Sequence, residues 1–325
     1  MKLLTYKTSE LETHQLGVLK DQLVFNLNSF FGDITMIELI QIEDYQKQIN
    51  TFTSKDNCLT YKINDITILP PIPRPTSFRD AYAFREHVET ARKNRGLDII
   101  PEFDQFPIFY FSNHNAMFGD KQEITLMPDH FYKLDYELEF AIIIGKGGKN
   151  ILSKDADQHI AGFSILNDLS ARTLQMEEMK LNLGPAKGKD FANILGPYLV
   201  TPDELANRSI NTPFGKKYKL EMKCYVNGKL LSQGNAKDMH WTFAEIIERA
   251  SYGVELFPGD VIGSGTVGSG CLLEINGHRK AHDSNHKEKW LQDGDEIEMQ
   301  IEMLGKITNK ITRIASNHSL LKLKK

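Results

Sequence analysis

The stretch LDYELEFAIIIG, residues 134–145, decides the fold, because it alternates polar and apolar residues and then becomes wholly apolar. Alternation with a period of two predicts a β-strand, and the apolar end predicts that this strand enters the core. Asp135, Glu137 and Glu139 then share one face, because side chains alternate across a strand. The sequence therefore predicts a core strand with three carboxylates on one side.

Two interpretations of these three carboxylates remain open. Like charges in a row repel one another unless water screens them or a cation neutralises them. On the pattern alone we favour a solvated face, since charged side chains are mostly exposed. The strand runs directly into residues 141–144, however, so its end is expected to be buried. Carboxylates at that depth favour a hard divalent ion, Mg²⁺, Ca²⁺ or Mn²⁺, bound through oxygen.

Asp168 is a second candidate, because it follows the apolar residues 163–166 and precedes a helical pattern. Its ordinary role there is a helix N-cap, for which neighbouring polar residues compete. Asp168, Arg172 and Gln175 are spaced i, i+4 and i+7, which predicts an acid, a guanidinium and an amide along one helix face. A surface ion pair explains the same spacing.

A third candidate pair lies in residues 77–95, which we expect to be one helix that ends at Gly96. Its opening Ser-x-x-Asp pattern is typical of a capped first turn. Asp80 and His87 are seven residues apart, which is two turns or about 10.5 Å of rise, so both would point the same way. The alternatives are that Asp80 only completes the cap and that His87 lies on a polar helix face.

The remaining patterns favour a strand-rich fold. Asn227 and Gly228 separate two alternating runs, which is a strong hairpin signal. Residues 296–301 (EIEMQI) alternate, and residues 22–27 also read as a strand. Because hairpins imply antiparallel pairing, the predicted class is α+β, mainly β, with a curled sheet rather than a doubly wound parallel one.

A proline-dense segment, residues 69–75, marks the predicted domain boundary, because it cannot continue a helix or a central strand. Residues 1–70 would form a small β-rich domain that also holds a polar helix. Residues 71–325 would form the larger domain, which carries every candidate site residue.

Composition narrows the class of partner. The 325 residues include 39 Lys and Arg against 43 Asp and Glu, so there is no basic surplus for nucleic acid. The chain has three scattered cysteines, Cys58, Cys224 and Cys271, without the paired spacing of a disulfide framework. This pattern fits a reduced cytoplasm. We expect no signal peptide and no membrane span, because no apolar run approaches ~18 residues.

Two further motifs are set aside. Residues 263–268 match G-x-G-x-x-G, but residues 271–275 read as a strand where a dinucleotide site requires a helix. His278, His282 and His286 recur every four residues, yet their stretch is polar throughout and is predicted to be a loop. A metal is not expected there, because no apolar face supports such a site.

Taken together, these segments resemble the fumarylacetoacetate hydrolase family. The resemblance runs from Ser77 to Met303, and its blocks occur in the family's order. The blocks are RDAYAFREH (79–87), DYELEFAIIIG (135–145), NDLSARTLQ (167–175), GPAKGKDFANILGP (184–197), FPGDVIGSGT (257–266) and LQDGDEIEM (291–299). Several blocks in register are far more specific than any single motif.

The resemblance implies a role for each matching position. It implies a mixed β-roll catalytic domain, a small N-terminal β-domain and a homodimer. Asp135 is then left over, either solvated or paired with a lysine. The matched residues are Asp80, Glu137, Glu139 and Asp168 for the metal; His87 and its orienting Glu274 for catalysis; Arg172, Gln175 and Lys189 for holding the diketone and stabilising negative charge; and Thr266 for lining the substrate site.

The implied activity is metal-dependent hydrolysis of a carbon–carbon bond in a 1,3-diketo acid, such as fumarylacetoacetate or an acylpyruvate, in the catabolism of tyrosine or other aromatic compounds. The cation would be Mg²⁺ in the first place, with Ca²⁺ and Mn²⁺ as alternatives. A β-keto acid decarboxylase, a 2-oxo-enoate hydratase and a non-catalytic binder of small molecules are the alternative functions.

The chain departs from the family at positions that contact substrate. Met179 stands where some fumarylacetoacetate-cleaving members carry a tyrosine, and Tyr110 is the phenol nearest to a second such position. Arg92 or Arg95 is a candidate clamp for a distal carboxylate. These departures do not change the predicted type of reaction, but they leave the identity of the substrate undetermined.

Overall fold

The computed structural model describes residues 1–9, 13–94 and 96–322. These residues form 23 β-strands, which give the molecule its architecture. The strands are β1 (Lys2–Lys7), β2 (Gln15–Lys20), β3 (Leu23–Asn26), β4 (Thr60–Lys62), β5 (Thr67–Leu69), β6 (Phe78–Ala81), β7 (Phe109–Phe111), β8 (Met117–Phe118), β9 (Ile124–Leu126), β10 (Leu134–Asp135), β11 (Leu138–Ile144), β12 (Gly148–Lys149), β13 (Ile160–Asp168), β14 (Ser170–Ala171), β15 (Asn193–Val200), β16 (Ser209–Thr212), β17 (Gly215–Tyr218), β18 (Glu221–Val226), β19 (Lys229–Asn235), β20 (Glu255–Leu256), β21 (Val261–Gly263), β22 (Glu296–Ile301) and β23 (Gly305–Arg313).

Eight α-helices connect the strands in the described part of the chain, and six short 3₁₀ helices accompany them. In those ranges, none of the helices has the length and hydropathy that crossing a lipid bilayer requires. The α-helices are α1 (Asn28–Phe31), α2 (Met36–Leu39), α3 (Tyr45–Thr53), α4 (Arg85–Lys93), α5 (Ser153–Ala156), α6 (Arg172–Met179), α7 (Phe243–Ser251) and α8 (Leu272–His282).

The main sheet has twelve strands and runs in the order β4-β3-β2-β1-β15-β13-β11-β21-β6-β7, with β5 added to β1 and β8 to β15. Most neighbours are antiparallel, whereas β6–β21 and β8–β15 are parallel. This mixed, mainly antiparallel sheet confirms the predicted α+β, mainly β class. Strands β13, β11, β21 and β6 lie side by side and carry three of the candidate carboxylates.

A second sheet of five strands, β19-β18-β22-β23-β9, packs beside the first. Its hairpin between β18 and β19 turns at Asn227 and Gly228, whose φ values of 50° and 74° are the left-handed pair that a two-residue hairpin favours. The predicted hairpin is therefore confirmed, as is the predicted strand over residues 296–301.

Strand β11 is buried on both sides, which is why it becomes wholly apolar. Phe140 and Ile142 belong to the larger core, which β18, β22 and β23 cover. Ala141 and Ile143 face a second core, which includes Leu3 and other residues of the N-terminal strands. The N-terminal residues thus share both a sheet and a core with the rest of the chain, and the predicted boundary near residue 70 stays a prediction.

The predicted helix over residues 77–95 is wrong in its first half. Residues 78–81 form strand β6, buried between β21 and β7, and only residues 85–93 are helical. Two sheet partners outweigh the local Ser-x-x-Asp pattern, because tertiary hydrogen bonds override a weak local preference. Asp80 and His87 consequently lie on different elements rather than two turns apart on one helix.

The predicted strand over residues 271–275 is also wrong, because helix α8 begins at Leu272. Its first two N–H groups, those of Leu272 and Leu273, donate to the Asp135 carboxylate at 2.7 and 3.0 Å. Because Asp135 lies far from α8 in the sequence, the residues around position 272 did not predict this cap. His278 and His282, predicted to lie in a loop, belong to the last turns of the same helix.

Candidate active site

Four carboxylates from four segments converge at one end of the main sheet. Asp80 lies on β6, Glu139 on β11 and Asp168 at the end of β13, while Glu137 lies between β10 and β11. One oxygen of each lies within 4.8 Å of the others, and all four residues are buried. The solvated-face interpretation of Glu137 and Glu139 is therefore wrong.

Two glycines make room for this cluster. A Cβ atom on Gly263 would lie only 2.3 Å from Asp80 Oδ1 and 2.9 Å from Glu139 Oε2. The backbone N–H of Gly265 donates to the same two oxygens, at 3.1 and 3.2 Å. The glycine-rich run that resembled a nucleotide motif thus allows close approach of backbone and carboxylates.

A lysine and a tyrosine bind the other side of the cluster. Lys189 Nζ donates to Glu137 and, at 2.5 Å, to Asp168 Oδ2. The Tyr110 hydroxyl donates to the same Asp168 oxygen at 2.5 Å and to Asp80 Oδ2 at 3.2 Å. The sequence analysis named Tyr110 only as a nearby phenol. The run of three aromatic residues at 109–111 has high β-propensity and is the signal that could have predicted this strand.

The four carboxyl groups lie in different electrostatic environments, which shift their pKa values in different directions. Burial raises the pKa of Asp168 to about 7, against the pull of Lys189. Burial and the neighbouring Asp80 raise the pKa of Glu139 well above its usual value. Burial also penalises charge on Glu137, but Arg172 and Lys189 outweigh it and hold its pKa far below normal. Burial thus raises the pKa of Asp80, Glu139 and Asp168, whereas Arg172 and Lys189 keep that of Glu137 low.

The cluster also contains acceptors that no described residue satisfies. Glu139 Oε1 and Asp168 Oδ1 are buried and have no hydrogen-bond partner within the described ranges. A buried acceptor without a partner is costly, whereas hard divalent cations bind carboxylate oxygens of this kind. The donor set and its two unsatisfied oxygens therefore fit a divalent ion.

A histidine–glutamate pair lies beside the cluster. His87 on α4 and Glu274 on α8 meet where these two helices pack, with His87 Nδ1 2.5 Å from Glu274 Oε1. The second oxygen of Glu274 accepts the N–H of Ser269 at 3.1 Å. Burial opposes charge on His87, but the carboxylate of Glu274 outweighs it and raises the pKa of the imidazole. With Nδ1 engaged, Nε2 is the nitrogen that remains to take a proton.

Arg172 is held by acids on two sides. Its Nε donates to Asp135 Oδ2 at 2.9 Å, and its Nη2 donates to Glu137 Oε1 at 2.6 Å. Its Nη1 donates to Gln175 Oε1 at 3.0 Å, which leaves the amide NH₂ of Gln175 as a donor. Asp168 ends a strand, so the expected arrangement of these residues on one helix face holds only for Arg172 and Gln175.

Asp135 is the buried acid whose surroundings the sequence analysis predicted wrongly. It is fully buried, accepts from Arg172 and caps α8, so it is neither solvated nor paired with a lysine. The strict alternation of residues 135–139 already placed it on the same face as Glu137 and Glu139. By occupying the N-terminus of α8, Asp135 also blocks the position that a dinucleotide phosphate would need after the Gly263–Gly268 run.

These groups share one cavity of about 640 Å³. Eight of the ten predicted site residues line this cavity. The other two contact residues of the lining: Asp168 accepts a hydrogen bond from Lys189, and Glu274 binds His87. Arg92 also lines the cavity, whereas Arg95 lies outside the described residues. Much of the remaining lining is apolar and includes Val88, Ile100, Phe103, Phe106, Ile108, Met176 and Met179.

Comparison with known proteins places this arrangement in context. The family model described as "Fumarylacetoacetate (FAA) hydrolase C-terminal" matches residues 76–312. The human protein "Oxaloacetate tautomerase FAHD2A, mitochondrial" is 29% identical over 291 residues, which are 89% of this chain and 83% of that protein.

Solved structures share the fold. The fumarylacetoacetate hydrolase of Exiguobacterium antarcticum superposes with a TM-score of 0.71 at 24% identity, covering 97% of this chain and 100% of the other. The maleylpyruvate hydrolase of Sphingobium sp. SYK-6, solved with manganese(II) and pyruvate, gives a TM-score of 0.69 at 20% identity and covers 96% and 99%. The architecture is thus one that named enzymes use.

Proposed function

The chain belongs to the fumarylacetoacetate hydrolase family, and from this premise we propose that it is a divalent-metal-dependent hydrolase that cleaves a carbon–carbon bond in a 1,3-diketo acid. Fumarylacetoacetate and related acylpyruvates are the proposed substrates. One observation carries the proposal: a carboxylate cluster with two unsatisfied oxygens, an imidazole held by a carboxylate and two buried cations all meet at one cavity.

Asp80, Glu137, Glu139 and Asp168 would hold the ion, with Mg²⁺ first and Mn²⁺ or Ca²⁺ as alternatives. When bound, a divalent cation supplies Lewis-acid polarisation of the two enolisable oxygens of the substrate. All four side chains offer hard oxygen ligands, which suits these three ions better than softer ones. The maleylpyruvate hydrolase structure that contains manganese(II) resembles this chain in fold, and this likeness is the only support that it gives to the choice of ion.

His87 would act as the general base. Its Nε2 takes a proton from water, the hydroxyl group adds to the carbonyl carbon, and the carbon–carbon bond breaks to give a carboxylic acid and an enolate. The enolate is then protonated, and His87⁺ is the group placed to return the proton. Glu274 holds Nδ1–H at 2.5 Å and so fixes the tautomer that this step needs.

Arg172, Lys189 and the amide of Gln175 would stabilise the negative charge that develops on oxygen. Arg172 and Lys189 are both buried, and acids fix their position before substrate binds. Preorganised donors of this kind contribute roughly 2.7–4 kcal/mol each in comparable sites. Thr266 lines the same cavity and would contact the substrate.

A second candidate function is oxaloacetate tautomerisation, and the human relative named for that activity favours it. The same imidazole would then move a proton between carbon and oxygen of one substrate, without consuming water. Decarboxylation of a β-keto acid and hydration of a 2-oxo-enoate remain alternatives, since both need an acidic metal site and an enolate-stabilising group.

One substrate panel separates these reactions. Purified protein with Mg²⁺ is incubated with fumarylacetoacetate, fumarylpyruvate, acetylpyruvate and oxaloacetate, and products are followed by ultraviolet absorbance and by NMR. The proposal expects two acids from one of the diketones. Conversion of enol to keto oxaloacetate, with every diketone intact, would replace hydrolysis by tautomerisation, and release of CO₂ would indicate decarboxylation.

We also propose a homodimer, as is usual in this family. Tyr252, Val254 and Phe257 are exposed apolar residues within one short segment, which supports a covered surface. Light scattering after size-exclusion chromatography tests this proposal. A monomeric mass at micromolar concentration would contradict it. The cytoplasmic location stays a prediction.

A further inference from the structure

A second group of metal-ligating side chains lies next to the carboxylate cluster, and its chemistry is different. His87, Cys271 and Glu274 bring one ligand atom each within 4.8 Å of one another. Glu274 Oε1 lies 2.5 Å from His87 Nδ1 and 3.6 Å from Cys271 Sγ. All three residues are buried, with exposed fractions of 6%, 0% and 1%. The proposed reaction uses His87 and Glu274 but leaves Cys271 without a role.

The donor atoms of this group select another kind of ion. Nitrogen, sulfur and oxygen ligands suit Zn²⁺ or the softer Cd²⁺, whereas the neighbouring cluster offers oxygen alone. In a tetrahedral zinc site, bonds of 2.0–2.3 Å place neighbouring ligand atoms roughly 3.3–3.8 Å apart. The Cys271–Glu274 separation already lies in this range. The His87–Glu274 separation would have to open by about 1 Å.

We propose that His87, Cys271 and Glu274 form an inhibitory site for Zn²⁺ or Cd²⁺ that is distinct from the carboxylate cluster. The ion would enter through the cavity that His87 lines, and a water molecule would complete its coordination. Binding releases the thiol proton of Cys271 as the metal–sulfur bond forms. The Nδ1 proton of His87 moves to Nε2, because Nδ1 becomes a ligand.

Occupancy of this site would stop catalysis for a specific reason. A protonated Nε2 cannot take a proton from water, and Glu274 no longer orients the ring. This inhibitory consequence rests on the proposed role of His87, whereas binding of the ion does not. Because Mg²⁺ prefers oxygen ligands, excess Mg²⁺ should not relieve the inhibition.

The binding test uses the 325-residue chain saturated with Mg²⁺ and titrated with Cd²⁺ in the absence of substrate. A Cd–thiolate charge-transfer absorbance is expected to saturate at one ion per chain. Cys271→Ser should abolish this absorbance, and Cys224→Ser should retain it, because Cys224 is equally buried and lies outside the group. Absence of the absorbance in the unaltered protein, or its persistence in Cys271→Ser, would overturn the proposal.

The activity test measures inhibition by Zn²⁺, with each variant normalised to its own rate. Cys271→Ser should require at least tenfold more Zn²⁺ for half-inhibition than the unaltered protein or Cys224→Ser. Inhibition that a tenfold increase in Mg²⁺ relieves would instead place the ion in the carboxylate cluster and overturn the proposal. If the protein hydrolyses none of the panel substrates, the absorbance titration still decides whether the site exists.

Discussion

The carboxylate cluster and the His87–Glu274 pair lie at one cavity but are built in opposite ways. Strand ends bring together four acids that repel one another and leave two oxygens without a described partner. Two helices bring together one base and one acid that satisfy each other at 2.5 Å. The comparison teaches where the proposed cation would bind: the cluster leaves two buried oxygens unsatisfied in the described chain, whereas the atoms of the pair satisfy each other.

The strongest way to break this comparison is Glu139→Gln. Glu139 carries one of the unsatisfied oxygens, so the variant should lose its divalent ion and, with it, about a thousandfold or more in kcat. Elemental analysis and kinetics measure the two effects. Glu296→Gln, at the exposed first residue of β22, is the matched control and should change neither. An unchanged metal content in Glu139→Gln would contradict the metal assignment.

His87→Ala should separate the two regions. The variant keeps the cluster intact, so Mg²⁺ should still raise the melting temperature, while kcat falls about 10²- to 10⁴-fold through loss of the general base. Differential scanning calorimetry and steady-state kinetics provide both readouts. Loss of the Mg²⁺ effect on the melting temperature would mean that the two regions are not independent.

Asp135→Asn sharpens the comparison, because Asp135 connects the two regions through Arg172 and the N-terminus of α8. The change removes one of the two carboxylates that neutralise the buried Arg172, so we expect about 3 kcal/mol of lost stability in urea unfolding. Activity should fall as well, since Arg172 loses one of its two acids. A stability within 0.5 kcal/mol of the unaltered protein, the range of ordinary surface changes, would show that Arg172 finds another partner.

A smaller effect concerns pH. Burial raises the pKa of Asp168 to about 7. Mg²⁺ must therefore displace a proton from Asp168 at pH 6 but not at pH 8. The affinity for Mg²⁺ should consequently rise about tenfold between these two pH values. In the metal-free protein, Asp168 has the opposite effect, because it lowers folding stability as pH rises. The folded chain keeps this proton up to about pH 7 and the unfolded chain loses it near pH 4, so this group makes stability fall as pH rises between those values.

Melting temperatures with EDTA and with Mg²⁺, taken at pH 6, 7 and 8, check both statements. The increment caused by Mg²⁺ should grow with pH. The Asp168→Asn variant should show a smaller increment with a flatter dependence on pH. A constant increment in the unaltered protein would show that the cluster is already ionised at pH 6.

The sequence predicted some parts of this molecule because their signals are local. The alternation of residues 134–145 predicted the core strand and its acids, and Asn227-Gly228 predicted its hairpin through the conformations those residues favour. The strand at residues 78–81 was missed because its stability comes from β21 and β7, which lie far away in sequence. The start of α8 was missed because its cap, Asp135, is 137 residues away.

The site residues themselves required more than local pattern. Periodicity alone left the carboxylates as a solvated face and Asp168 as a helix cap. Only the order of several blocks along the chain connected Asp80, Glu139 and Asp168 into one site. Tertiary contact decided the rest, including the Tyr110 bond to Asp168 and the support that Asp135 gives to Arg172.

The pairing of β1 with β15 has a consequence for how the chain can be shortened. Lys2 and Leu3 oppose Val200 and Leu199, so β1 covers one side of a strand whose other side meets β13. A chain beginning at residue 71 would retain every site residue and keep β8 on the start of β15, yet it would leave the Leu199–Val200 end of β15 as an open edge. Such an edge recruits other chains, so this fragment should aggregate rather than act as a smaller enzyme.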